Sequence, residues 1–177
     1  MNYDPHSHHR RSTRLQGYDY AQAGAYFVTI CTKNRECLLG TIVNETMHLS
    51  AAGQTVASVW NELPERFPSV GLDVFVVMPN HVHAVILVGA QFIAPQFIVP
   101  DNRGVMNPSP ALGDIVRTFK AVSTRVIRGH AFSSFAWQRN YYDHIIRDDE
   151  ELRNVREYIV NNPARWAFDR ENPAVWA

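Results

Sequence analysis

The chain is short of cysteine, of long apolar runs and of net charge, and each shortage closes off a class of protein. Its two cysteines, Cys31 and Cys37, are too few for a disulfide framework or a four-cysteine zinc site, so a reduced cytoplasm is the expected setting. No stretch approaches the roughly 18–20 uninterrupted apolar residues of a membrane-spanning helix. The start, Met1-Asn2-Tyr3-Asp4-Pro5-His6, has no apolar segment and does not read as a secretory signal. Lys+Arg and Asp+Glu stand at 17 each, a net charge of zero, whereas a nucleic-acid binder is usually basic. What is present suffices for a packed fold. Of 177 residues 46% are apolar and 19% charged, which excludes a disordered chain and suits one domain with its own core.

The zero is a cancellation. Residues 51–102 hold one basic and four acidic side chains, and residues 148–177 hold four and seven. Residues 103–147 hold seven basic and two acidic ones. The first fourteen residues are also locally basic, with Arg10, Arg11 and Arg14 against Asp4. Clustered charge of this kind attracts a polyanion even when the whole molecule is neutral.

Hydrophobic spacing lays out the elements. Residues 1–17 read as a flexible basic tail ahead of a single domain over 18–177; His6, His8 and His9 within it suit a polar terminus better than a metal site. Residues 25–32 are β-branched and aromatic and read as a strand, and residues 38–43 and 46–49 as a short hairpin around Asn44-Glu45. Ser50 caps a helix whose apolar positions are Ala52, Val56, Val59, Trp60, Leu63 and Phe67. Residues 72–78 and 81–88 read as two strands separated by the break Met78-Pro79-Asn80, neighbours in one sheet and antiparallel. QFIAP at 91–95 is followed by the near-duplicate QFIVP at 96–100, and with the Gly, Asn and Pro that follow, residues 89–110 read as an inserted loop.

Leu112, Ile115, Phe119, Val122 and Val126 form one stripe of a later helix, with Arg117, Lys120, Arg125 and Arg128 on its other side. That side is either a solvated helix face or a phosphate-facing surface. Phe135-Ala136-Trp137 reads as an extended edge segment. Asp148 opens a last helix with capping-box spacing to Glu151 and an apolar stripe of Leu152, Val155 and Ile159; Pro163 ends it near Asn162. Strands and helices mix without regular βαβ alternation, so the expected class is α+β: an antiparallel sheet with helices packed on one face.

Three places carry candidate chemistry. In His81-Val82-His83, strand alternation puts both imidazoles on one face and Val82 in the core. Two histidines so placed can share a metal ion, although a bare His-x-His is more often a pair of surface histidines. In the last helix Tyr158 and Asn162 stand at i and i+4 and share a face. Each alone reads as a boundary residue; together they set a hydroxyl nucleophile beside an amide oxygen. A metal held by His81, His83 and Asn162 keeps open positions for a phosphate oxygen, and a polarised phosphodiester offsets the weak nucleophilicity of a phenol whose pKa is about 10. The third place is the run from Trp137 to Arg147. Tyr141 and Tyr142 are rival nucleophiles that face opposite ways in an extended segment, and aromatics interleaved with Arg139, His144 and Arg147 suit base stacking and phosphate contact.

Taken together, RRSTRLQGYDY at 10–20, YFVTICTKNRECLLG at 26–40, VVMPNHVHAVIL at 76–87 and WQRNYYDHIIRDDEELRNVREYIVNNPARW at 137–166 resemble the REP-associated tyrosine transposases, members of the HUH single-tyrosine superfamily. The resemblance spans most of the chain outside residues 89–110. It implies a ferredoxin-like α+β fold, His81 and His83 as metal ligands, Tyr158 as the nucleophile and Asn162 at the third metal-side position. It implies Mg²⁺ or Mn²⁺, and a single-stranded DNA substrate folded into the hairpins of repetitive extragenic palindromes. Cleavage would leave a 5′-phosphotyrosine on the enzyme and a free 3′-hydroxyl able to rejoin the DNA. His144 and Arg147 would support the site, and Arg10, Arg11 and Arg14 would meet the guide sequence beside the hairpin; Arg117, Lys120, Arg125, Arg128 and Arg139 are expected to contact DNA from the charge pattern itself. The implied setting is the bacterial cytoplasm, nucleoid-associated, and the implied assembly a monomer or homodimer. Two rival readings remain at this level. A two-histidine RNA phosphoesterase needs two separated His-x-Ser/Thr motifs; His48-Leu49-Ser50 is one, but His81-Val82-His83 lacks the hydroxyl. A non-catalytic nucleic-acid-binding module on a ferredoxin-like sheet has no use for a histidine pair facing Tyr158.

Overall fold

The structure is a computed structural model that describes residues 18–89, 110–130 and 132–175. The expected tail, with Arg10, Arg11 and Arg14, and residues 90–109 of the expected loop lie outside them. In chain order the elements are β1 (Gly24–Cys31), β2 (Gly40–Val43), β3 (Thr46–Leu49), α1 (Ala51–Asn61), α2 (Leu63–Arg66), β4 (Val70–Val77), β5 (His81–Val88), α3 (Leu112–His130), β6 (Tyr142–Ile146) and α4 (Asp149–Val160). Short 3₁₀ turns follow at Pro163–Phe168 and Pro173–Val175.

The main sheet runs β4-β5-β1-β6, and every neighbouring pair is antiparallel. With the β2–β3 hairpin set aside, the order β1-α1-β4-β5-α3-β6 on this sheet is the split βαβ arrangement of the ferredoxin-like fold. Alternation along the strands divides the sheet into two faces. Tyr26, Val28 and Ile30 of β1 and Val82, Ala84, Ile86 and Val88 of β5 point to α1 and α3, where they meet Val56, Trp60, Ile115 and Phe119 in the main core. The expected packing of helices on one face holds for these two. The other face carries Ala25, Phe27, Thr29, His81, His83 and Val85, and α4 lies across part of it through Leu152, Val155 and Ile159.

Local chemistry explains the joins. The Ser50 hydroxyl accepts the Gly53 N–H at 3.1 Å and donates to the Leu38 carbonyl at 2.7 Å, so one side chain caps α1 and pins it to the hairpin. Gly53 is required there, because a Cβ would fall 2.0 Å from the Leu39 carbonyl oxygen. Asn44 and Glu45 both take positive φ (47° and 62°), the left-handed pair that a two-residue hairpin turn needs.

Two elements differ from the sequence reading. The buried side of α3 runs through Leu112, Ile115, Val116, Phe119, Ser123 and Ile127, while Val122 and Val126 are only half-buried. Ser123 takes a core position because its hydroxyl accepts the Trp137 indole N–H at 2.9 Å and donates to the Phe119 carbonyl at 2.7 Å. The second is β6, a strand the apolar pattern did not announce. It pairs with β1 from Thr29↔Tyr142 to Ala25↔Ile146, and the extended segment before it bridges Thr32 through Trp137. No helix among the described residues is long and apolar enough to cross a membrane.

Candidate active site

β5 delivers the histidine pair. His81 and His83 are both buried, on the face away from the main core, and their Nε2 atoms lie 3.0 Å apart. The other nitrogen of each ring is held from behind. The Asn80 amide donates to the Arg35 carbonyl at 3.0 Å and to the Glu171 carbonyl at 2.7 Å, which leaves its oxygen as acceptor for His81 Nδ1–H at 2.8 Å. That fixes the proton of His81 on Nδ1 and turns an Nε2 lone pair into the site. Thr29 Oγ1 holds His83 Nδ1 at 2.8 Å. Burial pushes both imidazoles down to about 3, so both are neutral at neutral pH, the form that ligates metal.

α4 delivers the phenol. Its N-terminus is tied by Asp148 Oδ1 accepting the Glu151 N–H at 2.8 Å, and its apolar stripe presses on the sheet, which presents Tyr158 and Asn162 to the histidines. The Tyr158 hydroxyl is 3.3 Å from His83 Nε2, so tyrosine and histidine pair meet within one chain. Tyr158 remains 42% exposed, and its ring stands edge-on to Phe27 and His83. Burial and the Asp169 carboxylate raise its pKa, while the Asn162 side chain pulls the other way. The cavity in front of it measures about 420 Å³ and is bounded by Phe27, Tyr142, Tyr158, Asn162, Arg165 and Phe168.

Asp169 was not foreseen. The 3₁₀ turn after Pro163 brings it back over β5, where its Oδ2 sits 3.8 Å from His81 Nε2. Donor atoms of His81, His83 and Asp169 lie within 4.8 Å of one another. Asp169 Oδ2 and Asn162 Oδ1 are buried with no hydrogen-bond partner. Two imidazole lone pairs and the orphaned Asp169 oxygen around one point form a donor set that a cation satisfies, with Asn162 lining the same cavity, and the oxygen makes it harder than a histidine pair alone. The segment is clipped in place by an Arg35–Glu171 ion pair of 2.8 Å and by the Asn80 amide.

Other sequence candidates lie elsewhere. His144 is the β6 partner of Phe27, but its Nε2 bonds Glu151 at 2.5 Å, and the Arg147 side chain lines a separate hollow with Tyr18 and Leu152. Tyr142 faces the Tyr158 cavity, whereas Tyr141 lines a groove against α3. Lys120 Nζ is committed to the Gln138 and Asn140 carbonyls at 3.0 Å each, and Arg128 Nε to the Phe135 carbonyl at 2.8 Å. Arg117 pairs with Asp114 at 2.6 Å. Arg125 and Arg139 are exposed and form no ion pair among the described residues. Asn80 stood in the PNHVH motif and Thr29 on the site-facing alternation of β1, so both had a signal; Asp169 had none.

No family model matches the chain. An uncharacterized protein of Haemophilus influenzae is 43% identical over 172 residues, which span 95% of this chain and 96% of that protein. A second protein of that organism, named "Putative REP-associated tyrosine transposase", is 23% identical over 161 residues, 85% of this chain and 76% of the relative. A solved structure of a REP-associated tyrosine transposase bound to a REP hairpin shares the fold, with a TM-score of 0.57 and 18% identity over 89% of this chain and 76% of that one. The motif order PNHVH, WQRNYYDHIIR and YIVNNP, the named sequence relative and the common fold point the same way: the chain is similar to the REP-associated tyrosine transposases and shares their fold.

Proposed function

We propose that this protein is a metal-dependent single-stranded DNA endonuclease and strand transferase that cuts and rejoins DNA at repetitive extragenic palindrome hairpins. The observation that carries the reading is the Tyr158 hydroxyl 3.3 Å from His83 Nε2, beside two buried oxygens that have no other partner. His81, His83, Asp169 and Asn162 would hold the ion, and a donor set of two nitrogens and two oxygens suits Mn²⁺ or Mg²⁺. When bound, the ion supplies a Lewis acid for the scissile phosphate.

Tyr158 does the covalent work. Its oxygen attacks phosphorus, the bond to the 3′ oxygen breaks, and the phenolic proton is given up as that oxygen becomes a 3′-hydroxyl. A 5′-phosphotyrosine remains, and attack by a 3′-hydroxyl reverses the step and joins strands. The bond count is unchanged, so no nucleotide cofactor is consumed. Phe27 and the exposed Phe168 bound the cavity with π faces for bases, and Arg165 offers a cation at its rim. The work would be done on chromosomal DNA in the bacterial cytoplasm. The phosphoesterase reading loses support here, because His48 sits exposed on β3 and does not line this cavity.

The test is covalent trapping. Hairpin DNA with Mn²⁺ or Mg²⁺ is expected to give an SDS-resistant adduct with the wild type and with Tyr141→Phe and Tyr142→Phe, and none with Tyr158→Phe or with His81→Ala plus His83→Ala. An adduct that persists in Tyr158→Phe, or one that forms without metal, overturns the assignment.

A further inference from the structure

In-line attack on a phosphodiester gathers negative charge on the non-bridging oxygens, and a site for that step needs donors aimed at them. The histidine end of the Tyr158 cavity offers acceptors instead. His81 turns a bare Nε2 inward, Asp169 Oδ2 has no partner, and the Thr29 hydroxyl is taken up by His83 Nδ1. Glu171 also lines the cavity, and the arginine that neutralises it, Arg35, stands outside the lining. The cations of the lining are Arg165 and Arg170. Arg170 pulls the Tyr158 pKa down against the Asp169 and Glu171 carboxylates. Arg165 has no such assignment.

The backbone ties Arg165 to the phenol. The chain keeps turning where α4 ends: Asn161 and Asn162 hold right-handed helical angles, the Asn161 N–H donates to the Glu157 carbonyl at 3.0 Å, and the Arg165 N–H donates to the Asn162 carbonyl at 3.0 Å. Tyr158, Asn162 and Arg165 thus follow one another at i, i+4 and i+7, the spacing of one helix face, and all three line the cavity. Seven residues rise about 10 Å along a helix, a span that a phenol and a guanidinium on long side chains can close around a phosphate. The Arg165 side chain is exposed and makes no hydrogen bond or ion pair among the described residues, unlike Arg35 on Glu171 or Arg156 on Asp73. A planar fork of donors with a permanent charge matches a phosphate oxyanion better than any other group on this rim.

We propose that Arg165 is a catalytic residue of strand cleavage, its guanidinium donating to the non-bridging oxygens of the scissile phosphate as Tyr158 attacks. This rests on the reading of Tyr158 as the nucleophile, and the experiment separates the two. Adduct formation is timed in a single turnover with Mn²⁺ and saturating hairpin DNA, while Mn²⁺ affinity is measured by calorimetry without DNA. Arg165→Ala is expected to slow the adduct roughly a hundredfold, the usual cost of one donor to a developing oxyanion, with Mn²⁺ affinity unchanged. Arg165→Lys keeps the charge and loses the fork, and is expected to recover about tenfold of that loss. Arg153→Ala, which removes an exposed α4 cation outside the cavity lining, is expected to react at the wild-type rate. A rate in Arg165→Ala that equals wild type once the DNA is saturating overturns the proposal, because Arg165 is then at most a binding contact. An equal slowing in Arg153→Ala overturns it in favour of a general field effect, and a parallel loss of Mn²⁺ affinity overturns it in favour of a structural hold on the turn that carries Asp169. An adduct that forms equally well in Arg165→Ala leaves the Tyr158 chemistry standing without this residue, whereas a wild type that forms none brings down both.

Discussion

Asn80 decides more at this site than its size suggests. Its two amide protons are spent on carbonyls, so its oxygen can only accept, and His81 can only present a bare Nε2. Asn80→Leu removes that control and is expected to weaken Mn²⁺ binding by roughly tenfold or more in titration calorimetry, in line with other residues that orient metal ligands. Asn80→Asp keeps the acceptor and loses the donors, so it should retain more of the affinity while melting at a lower temperature, because two carbonyls lose their partners. Wild-type Mn²⁺ affinity in Asn80→Leu would defeat the tautomer argument. The residues legible in the sequence are those fixed by a short period: alternation places His81 with His83, and one helical turn places Tyr158 with Asn162. Asn80 sits at a break between strands, where no period acts. Asp169 arrives by a 3₁₀ turn whose path depends on what it packs against, namely Trp166 over the His81 ring and Glu171 on Arg35.

Among the elements, α3 shows where charge patterning misleads. Four cations on one side of a helix invite a single function, and the structure splits them. Lys120 ties α3 to the chain entering β6, with its ammonium on two carbonyls and 5.5 Å from the centre of the Tyr141 ring. Burial lowers its pKa to about 8, yet the contacts it makes are those of a donor. Lys120→Met keeps the stem and deletes the donor. The expected cost is about 1.5–3 kcal/mol in urea unfolding, the usual range for hydrogen bonds to a charged group. A loss under half a kcal/mol would return Lys120 to the solvated face. The apolar stripe of α3 is visible in sequence but turned from its true position, since apolar spacing cannot show that Ser123 enters the core to meet Trp137. β6 escaped notice for a related reason. Asp143 and His144 interrupt its alternation, and only pairing with β1 makes it a strand.

Across the whole molecule the sheet separates two unequal cores, and α4, which carries Tyr158, belongs to the smaller. α1 and α3 share the main cluster, whereas α4 contributes one buried residue, Ile159, to a cluster of four. The balance of charge has the same layered character: Arg117, Lys120, Arg125 and Arg128 lie on α3 with Arg139 beside them, and acids crowd the first turn of α4, where they suit the helix dipole. A helix held by so little apolar contact depends on its polar tie. Arg156 Nε and Nη2 reach the two Asp73 oxygens at 2.9 and 2.5 Å, joining α4 to β4 at the bulge between Leu72 and Phe75. The hydrogen bonds from Arg156 hold the Asp73 carboxyl below the ordinary aspartate value. A carboxyl depressed in the folded chain contributes stability above the unfolded-state pKa of about 3.9 and loses it as pH falls through its own lower value. With the Arg156 side chain 46% exposed, solvent screens the pair to about 1 kcal/mol at most. Asp73→Asn is therefore expected to speed amide exchange in α4 by up to roughly fivefold at pH 7, leaving α1 and α3 as they were. The gap in unfolding free energy between wild type and variant should shrink on acidification, closing as pH falls through the depressed value and the Asp73 carboxyl becomes neutral like the amide. A gap that keeps its size across the whole acid titration would mean that shape, and not charge, joins α4 to the sheet.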